Sequence, residues 1–250
     1  MSCIVAIETS TEYCSVALMQ GGALQTLRAI GVRQHAESVL PMLSRLLAEA
    51  GLARSAIDVI GYGRGPGAFT GVRLAVAVAQ GLGFALDRPT FGVSSLQACA
   101  SSAARLIPMP VKSQVIAILD ARMGEFYVAA YQCGAPGAPV LMRQECLLTP
   151  NALKDWLHTH DTAPYAFAGS GLSILSVLPA DVLAGYPDAR FFPEVMPDAE
   201  EIATLTALGF MANQAVPARQ AQPIYVRDKV ADTMIERAAK RAAIGLSATV

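Results

Sequence analysis

The chain has 250 residues, and 19 Lys plus Arg against 20 Asp plus Glu leave a net charge of −1. Hydrophobic residues make up 53% of it and charged residues 16%, which excludes an intrinsically disordered protein and predicts one large or two small globular domains. The balanced charge gives no overall attraction to nucleic acid or to a membrane surface. The N-terminus lacks the basic start of a signal peptide, and the five scattered cysteines contain no CxxC pair. These features indicate a cytosolic protein with reduced thiols and no metal site.

Three strands and a helix are predicted in the first sixty residues. The continuous apolar run Cys3–Glu8 is typical of a central strand covered on both faces. Tyr13–Met19 and Ala23–Ile30 follow it as a meander. Apolar residues recur every three or four positions in His35–Ala50, which predicts a helix, and Ile57–Tyr62 is a further short strand.

A glycine-rich segment then leads into an apolar helix. It lacks the GK[ST] of a Walker loop and does not match GxGxxG. One interpretation makes Gly65 and Gly67 part of an anion- or partner-binding loop, with Thr70 capping the helix. The other interpretation, favoured for the glycines alone, is a tight turn that needs positive φ. The apolar stretch Leu74–Leu86 is too short for a membrane span and indicates a buried helix.

The second half of the chain repeats this order. Val115–Asp120 is again an apolar run that ends in an acid, with Phe126–Tyr131 as its partner strand. Val140–Leu147 is the third strand, followed by a short helix at Asn151–His158 and a strand at Tyr165–Ala168. The sequence therefore contains an internal duplication of a βββαβα unit.

Two such units predict a two-lobed α/β protein, each lobe a mixed sheet flanked by helices. This is the plan of the actin/hexokinase-like (ASKHA, ribonuclease H-like) fold. We expect residues 1–104 together with about 216–250 to form the N-terminal lobe and residues 105–215 the C-terminal lobe. The chain would cross between the lobes near Ser101–Pro110 and again near Val216–Pro223, so that a C-terminal helix returns to the first lobe.

The two hairpins that would hold a nucleotide in this fold are altered. There, an Asp handles the metal ion and water, and a Gly brings backbone N–H groups to the phosphates. In the first hairpin Glu8 replaces the Asp and Ser10 the Gly, and in the second Asp120 is followed by Arg122 in the turn. These degenerate phosphate hairpins predict no ATP hydrolysis, no cofactor, and at most a weakly bound nucleotide or one held between subunits.

The helix after the glycine loop carries a stripe of small residues at every fourth position. The stripe consists of Gly71, Ala75, Ala79 and Gly83, and Val72 and Val76 lie on its flank. A helix that is apolar nearly all round must be covered on more than one side. We therefore expect the stripe to contact a partner helix, while packing within one lobe is the alternative.

Several segments of the chain closely resemble the TsaB family, formerly YeaZ. They are CIVAIETSTEYCSVAL, QHAESVLPML, YGRGPGAFTGVRLAVAVAQGL, GVSSL, LDARMGEFYVAAY and PIYVRDKVA. The resemblance covers nearly the whole chain and is weakest over residues 151–210. It implies a non-catalytic partner protein in threonylcarbamoyladenosine modification of tRNA. In the paralogous catalytic subunit, TsaD, two histidines bind a metal; Ser95 and Cys99 occupy the corresponding positions here, so no metal is expected.

The resemblance also implies the partners. The two helices of the first lobe would pair with TsaD, or with a second copy of the chain in isolation, and the interface would include Val39, Met42 and Leu46 beside the small-residue stripe. With the ATPase TsaE, the pair would support transfer of threonylcarbamoyl to adenosine 37 of tRNAs that read codons beginning with A. The tRNA would be bound only through this complex, in the cytoplasm and away from membranes.

An enzyme of the same superfamily is the alternative: an ATP-dependent small-molecule kinase or a metallopeptidase. Intact phosphate hairpins or a histidine-rich metal site would favour it, and neither is present in the sequence.

Overall fold

The computed structural model describes residues 2–31, 35–134, 137–159, 164–177 and 186–227, and their strands form two five-stranded sheets. The first sheet has the order β3-β2-β1-β4-β5. Its strands are β1 (Cys3–Glu8), β2 (Tyr13–Gln20), β3 (Ala23–Ile30), β4 (Val59–Gly63) and β5 (Thr90–Val93). The second sheet has the order β10-β9-β6-β7-β8. Its strands are β6 (Ser113–Asp120), β7 (Phe126–Cys133), β8 (Val140–Leu148), β9 (Ala166–Ala168) and β10 (Arg190–Phe192).

The two sheets repeat one topology, which confirms the duplication and the two-lobed fold predicted from the sequence. In the first sheet the central strand β1 pairs antiparallel with β2 and parallel with β4. In the second sheet β6 pairs antiparallel with β7 and parallel with β9. Every residue of β1 is buried, as expected for a strand with helices on both faces.

Five α-helices lie in the described part of the chain. They are α1 (His35–Glu49), α2 (Phe69–Leu86), α3 (Ser95–Leu106), α4 (Pro150–His158) and α5 (Ala199–Met211). Among the described helices, α2 alone has the length and apolar composition of a membrane span, and it is longer than the stretch predicted from the sequence. Such a match is weak, because the core helix of a globular protein gives the same pattern, and one face of α2 is buried in the first lobe.

Helices cover both faces of the first sheet. Leu43 of α1 and Ala79 of α2 lie in one cluster with Val5, on one face of the sheet. Ile202 of α5 lies in another cluster with Ile4, on the opposite face. Full burial of a leucine or isoleucine side chain contributes about 1.5–3 kcal/mol, so these two layers hold the first lobe together.

Each half of the chain contributes one helix to the sheet of the other half. The predicted lobe boundaries are therefore wrong for these two helices, α3 and α5. α3 follows β5 of the first sheet, but its buried residues Leu96 and Ala103 pack in the core of the second sheet. α5 follows β10 of the second sheet, but it packs on β1, β2 and β4 of the first. A buried helical face shows that a helix is covered, but the sequence does not show by which sheet.

Two ion pairs connect the exchanged helices to their surroundings. Asp198, the N-cap residue of α5, accepts a hydrogen bond from Arg28 of β3 at 2.7 Å. Glu200 in the first turn of α5 pairs with Arg105 of α3 at 2.6 Å. The predicted return of the chain to the first lobe is present as far as Ala221, which lies in the core of that lobe. The C-terminal helix predicted beyond it lies outside the described residues.

Candidate functional site

The first hairpin turn, Glu8–Ser10, is enclosed within the first lobe. The Glu8 side chain is 0% exposed, and one of its carboxylate oxygens accepts a hydrogen bond from the Ser10 N–H at 2.5 Å. The Ser95 hydroxyl lies 3.3 Å from the other oxygen. Burial raises the pKa of Glu8 above its ordinary value, and the hydrogen bonds from Ser10 and Ser95 only partly oppose this. This carboxyl group therefore faces the protein interior and cannot contact a metal ion or water in the cleft.

The glycine loop, residues 63–71, packs directly against this turn. A Cβ at Gly63, Gly67 or Gly71 would overlap atoms of Glu8–Ser10, at separations that real Cβ atoms do not adopt. The Thr9 hydroxyl also donates a hydrogen bond to the Gly71 carbonyl at 2.7 Å. These glycines are thus explained by the close approach of the protein's own hairpin.

The middle of the glycine loop has the geometry of a tight turn. Gly65 has a φ of +91° and is followed by a cis peptide bond to Pro66, so the positive φ of the turn interpretation is confirmed. The prediction that Thr70 caps α2 is wrong. The helix begins at Phe69 with Ala68 as its N-cap, and Thr70 is an exposed residue of the first turn.

In the second hairpin turn, Arg122 lies beside the carboxylate of Asp120. The Arg122 N–H donates to an Asp120 carboxylate oxygen at 2.7 Å, and its guanidinium lies 3.3 Å from the other oxygen. The same guanidinium lies 3.6 Å from the Glu12 carboxylate of the first lobe. Arg122 and Met123 both adopt positive φ, at +64° and +58°. Arg122 therefore places a cation near carboxylates of both lobes, beside the one that would hold a metal ion in a kinase.

The cleft between the hairpins has a volume of about 480 Å³ and an acidic lining. Glu12, Asp120 and Glu194 contribute three carboxylates to it, against the single guanidinium of Arg122. Serine and tyrosine hydroxyls make up most of the remaining polar surface. Phosphate groups of a nucleotide would meet this negative charge there unless a cation offset it.

An extended segment, Ala221–Arg227, crosses from the first lobe to the second, and we call it the strap. The Arg227 guanidinium donates to the Ala121 carbonyl at 2.9 Å and pairs with Glu125 at 2.8 Å. The strap borders an apolar cavity of about 200 Å³ beside the glycine loop. It thus fastens the second hairpin to the first lobe by contacts that need no bound ligand.

The two positions corresponding to metal-binding histidines lie in the protein interior. Ser95 and Cys99 are both 0% exposed on α3, and burial raises the pKa of the Cys99 thiol well above its ordinary value. No group of three or more His, Cys, Asp or Glu side chains within the described ranges is arranged to hold a metal ion.

The predicted partner interface is wrong for most of its residues, because they are buried within the first lobe. These residues are Val39, Leu46, Gly71, Val72, Ala75, Val76, Ala79 and Gly83; Met42 is half-buried. Ala75 and Ala79 lie in the core between α2 and the first sheet, and the small side chains allow the helix to approach the strands. The alternative given above, packing within one lobe, is the one that the structure supports.

The opposite face of α2 is exposed and almost uncharged. Phe84 is 66% exposed, Ala77 and Gly81 are exposed, and Leu74 and Val78 are half-buried. On α1, Leu40 is 50% exposed. We call this set the α1–α2 face. Arg73 is the only charged residue of α2, and Ala77 and Gly81 follow it at four-residue intervals, but the buried stripe has the same spacing.

An aromatic and cationic cluster borders the α1–α2 face. The Arg73 guanidinium lies 3.7 Å from the ring centre of Phe69 and donates a hydrogen bond to the Tyr225 hydroxyl at 2.8 Å. Tyr225 belongs to the strap, so the cluster joins the exposed face of α2 to the segment that links the lobes.

Comparison with known proteins identifies relatives along almost the whole chain. Residues 28–233 match a family model described as TsaD: tRNA N6-adenosine threonylcarbamoyltransferase. The tRNA threonylcarbamoyladenosine biosynthesis protein TsaB of Escherichia coli K12 is 32% identical, covering 91% of this chain and 96% of that protein. The protein of the same name from Haemophilus influenzae is 31% identical, covering 91% of this chain and 94% of its own length.

Solved structures agree with this assignment. YeaZ from Pseudomonas aeruginosa superposes with a TM-score of 0.77 at 37% identity, covering 90% of this chain and 100% of that one. A second structure of the same similarity is described as an uncharacterized protein with similarity to peptidase YEAZ from Pseudomonas aeruginosa. A putative N-acetylmannosamine kinase from Listeria monocytogenes shares the fold, with a TM-score of 0.52 at 9% identity over 84% of this chain and 99% of that one.

Proposed function

The chain belongs to the TsaB family, and on that basis we propose that it is a non-catalytic scaffold subunit in tRNA threonylcarbamoyladenosine biosynthesis. It binds the catalytic subunit TsaD, and this pair, with the ATPase TsaE, transfers threonylcarbamoyl to adenosine 37 of tRNAs that read codons beginning with A. The observation that carries the proposal is the exposed α1–α2 face, an apolar helix surface without a covering element among the described residues.

The composition of the α1–α2 face supports a protein partner. Its apolar residues lie mainly on α2, with Leu40 as the exposed apolar residue of α1, and α2 contributes a single charge, Arg73. Exposed apolar residues mark protein interfaces when they form a continuous patch. The partner is TsaD, and in isolation the same face joins two copies of the chain as a homodimer.

The hairpins support a role without catalysis. The Glu8 carboxyl is enclosed, Arg122 stands beside Asp120, and the cleft lining is acidic. A kinase needs a free carboxylate for its metal ion and donors for the phosphates, and a metallopeptidase needs a cluster of metal ligands. Within the described part of the chain, the Asp120 carboxylate is paired with Arg122, and three or more metal-ligating side chains do not come together. The chain requires no cofactor of its own, although a nucleotide held between subunits is compatible with the proposal.

Binding of tRNA occurs through the complex, in the cytoplasm. The net charge of −1 and the apolar character of the α1–α2 face do not provide the row of cations that phosphate contacts require. The chain therefore contributes to tRNA modification through its effect on TsaD.

The test is association with purified TsaD, followed by size-exclusion chromatography with light scattering. The wild-type chain should form a complex with the summed mass of the two proteins. Ala77→Arg places a charge on the exposed side of α2. Burying an unpaired charge costs several kcal/mol, so the Kd should rise about a hundredfold or more. Ala212→Arg, at the exposed C-terminal end of α5, is the matched control and should bind normally. Equal binding by both variants would exclude this face as the interface.

A further inference from the structure

A separate polar pocket lies at the β5 edge of the first sheet. It has a volume of about 320 Å³ and is bordered by the ends of β4 and β5, the segment after α5, and the first half of the strap. None of its lining residues belongs to the lining of the acidic cleft. We call it the β5 pocket.

Arg64 lines this pocket without a partner for its charge. Its side chain makes no hydrogen bond or ion pair with any residue that the structure describes, and its Nε is enclosed without an acceptor. Arg28 and Arg227, by contrast, each reach a carboxylate within 3.0 Å. Enclosed donors in folded proteins are almost always satisfied, and an unsatisfied one points to a bound ion, water or ligand.

The other lining groups favour an anion as that ligand. Gln214, Gln220 and Gln222, whose side chains end in amides, are among the lining residues, and the lining contains no carboxylate. The β5 pocket is therefore positive, whereas the cleft is negative. The planar guanidinium of arginine matches the two oxygens of a carboxylate or phosphate group, and amides both donate and accept hydrogen bonds.

We propose that the β5 pocket binds a small polar molecule through a carboxylate or phosphate group, which Arg64 holds while the glutamine amides contact the rest of it. The volume fits a compact metabolite. A nucleic acid is disfavoured, because the pocket offers one cation and nucleic-acid binding uses several phosphate contacts. The proposal does not depend on the function proposed above, since it concerns a different surface.

The experiment follows the arginine Nε–H and backbone amide signals of the full-length chain by ¹H–¹⁵N NMR. Inorganic phosphate and acetate are titrated separately at constant ionic strength, with sodium chloride as the reference salt. The Arg64 Nε–H signal, assigned by its loss in Arg64→Lys, should shift saturably with one or both anions, together with the amides of Gly92 and Gln222. The phosphate and acetate titrations show which oxyanion the pocket prefers.

Variants distinguish anion binding at the β5 pocket from nonspecific anion binding elsewhere on the chain. Arg64→Gln should weaken the affinity at least about tenfold, equivalent to about 1.4 kcal/mol, while Arg219→Gln on the neighbouring exposed turn should leave it unchanged. Gln222→Ala keeps the backbone hydrogen bond of residue 222 to the Tyr62 hydroxyl and should weaken binding without unfolding the chain. Shifts that do not saturate, that spread over all arginines, or that persist in Arg64→Gln would overturn the proposal.

Discussion

Substitution of Ala79 by leucine tests the orientation of α2. Ala79 is 0% exposed and packs with Ala75 and Val76 against the core of the first lobe. Leucine extends this side chain by an isopropyl group into space that is already filled. Overpacking of this kind typically costs about 1–3 kcal/mol. For a chain of this length each kcal/mol lowers the Tm by about 2–4 °C, so we expect a decrease of about 2–12 °C.

Ala77→Leu is the matched control, two residues earlier on the exposed side of the same helix. Surface substitutions of this kind usually change stability by less than about 0.5 kcal/mol, so its Tm should lie within about 2 °C of the wild type. Thermal unfolding followed by circular dichroism compares the three proteins directly. The assigned orientation of α2 would be refuted if Ala79→Leu melted like the wild type and Ala77→Leu were the destabilised variant.

Three further predictions concern the hairpins and the glycine loop. Gly71→Ala should destabilise the chain by at least about 1–3 kcal/mol in urea unfolding, because its Cβ would overlap the Thr9 carbonyl. Gly81→Ala has open space around it and should stabilise α2 by about 0.5–1 kcal/mol. A similar effect of both substitutions would contradict the packing of the first hairpin on the glycine loop. Glu8 has a raised pKa in the folded state, so its contribution to stability is complete below its ordinary pKa and is lost as the pH rises through the folded value. Glu8→Gln should therefore gain stability relative to the wild type as the pH rises above the ordinary pKa of a glutamate. A difference in unfolding free energy that is constant with pH would count against the buried carboxyl. Met123→Gly should raise the stability of the chain by up to about 1 kcal/mol. The left-handed conformation costs a residue other than glycine about 1–2 kcal/mol, and the greater conformational freedom of glycine in the unfolded chain offsets about 0.5–1 kcal/mol of this gain. A destabilised variant would show that the turn is not strained.

The duplication and eight of the ten described strands could be predicted because they depend on local patterns, whereas the short edge strands β5 and β10 were missed. Cys3–Glu8 and the run that ends at Asp120 are apolar throughout, and this pattern is specific to strands covered on both faces. The family resemblance was predicted in the same way, from strings of residues, and the relatives confirm it.

The face of α2 could not be predicted, because the helix is apolar almost all round. Ala75 and Ala79 recur at the same spacing as Ala77 and Gly81, so periodicity alone does not distinguish the buried stripe from the exposed one. The sheet that each of α3 and α5 covers could not be predicted from the sequence for a related reason. That choice depends on contacts between residues distant in sequence, such as the pair of Arg28 with Asp198.

The chemistry of the site was predicted only in part. The loss of the phosphate hairpins is visible in the residue types at positions 8, 10 and 122. The enclosure of Glu8 and the reason for Gly63 and Gly67 required the fold, because the hairpin and the glycine loop are far apart in the sequence and meet only in space. The unpartnered charge of Arg64 likewise has no signature in the sequence.

The most direct test of the proposed function is the threonylcarbamoyladenosine content of tRNA in a bacterial strain depleted of its own TsaB and supplied with variants of this chain. Mass spectrometry of tRNA nucleosides measures it. The wild type and Asp120→Ala should both restore the modification, since the proposed function gives the hairpin acid no catalytic role. Ala77→Arg should not restore it, since the proposed function requires the α1–α2 face for binding TsaD. Loss of the modification with a folded Asp120→Ala, together with full restoration by Ala77→Arg, would contradict the account.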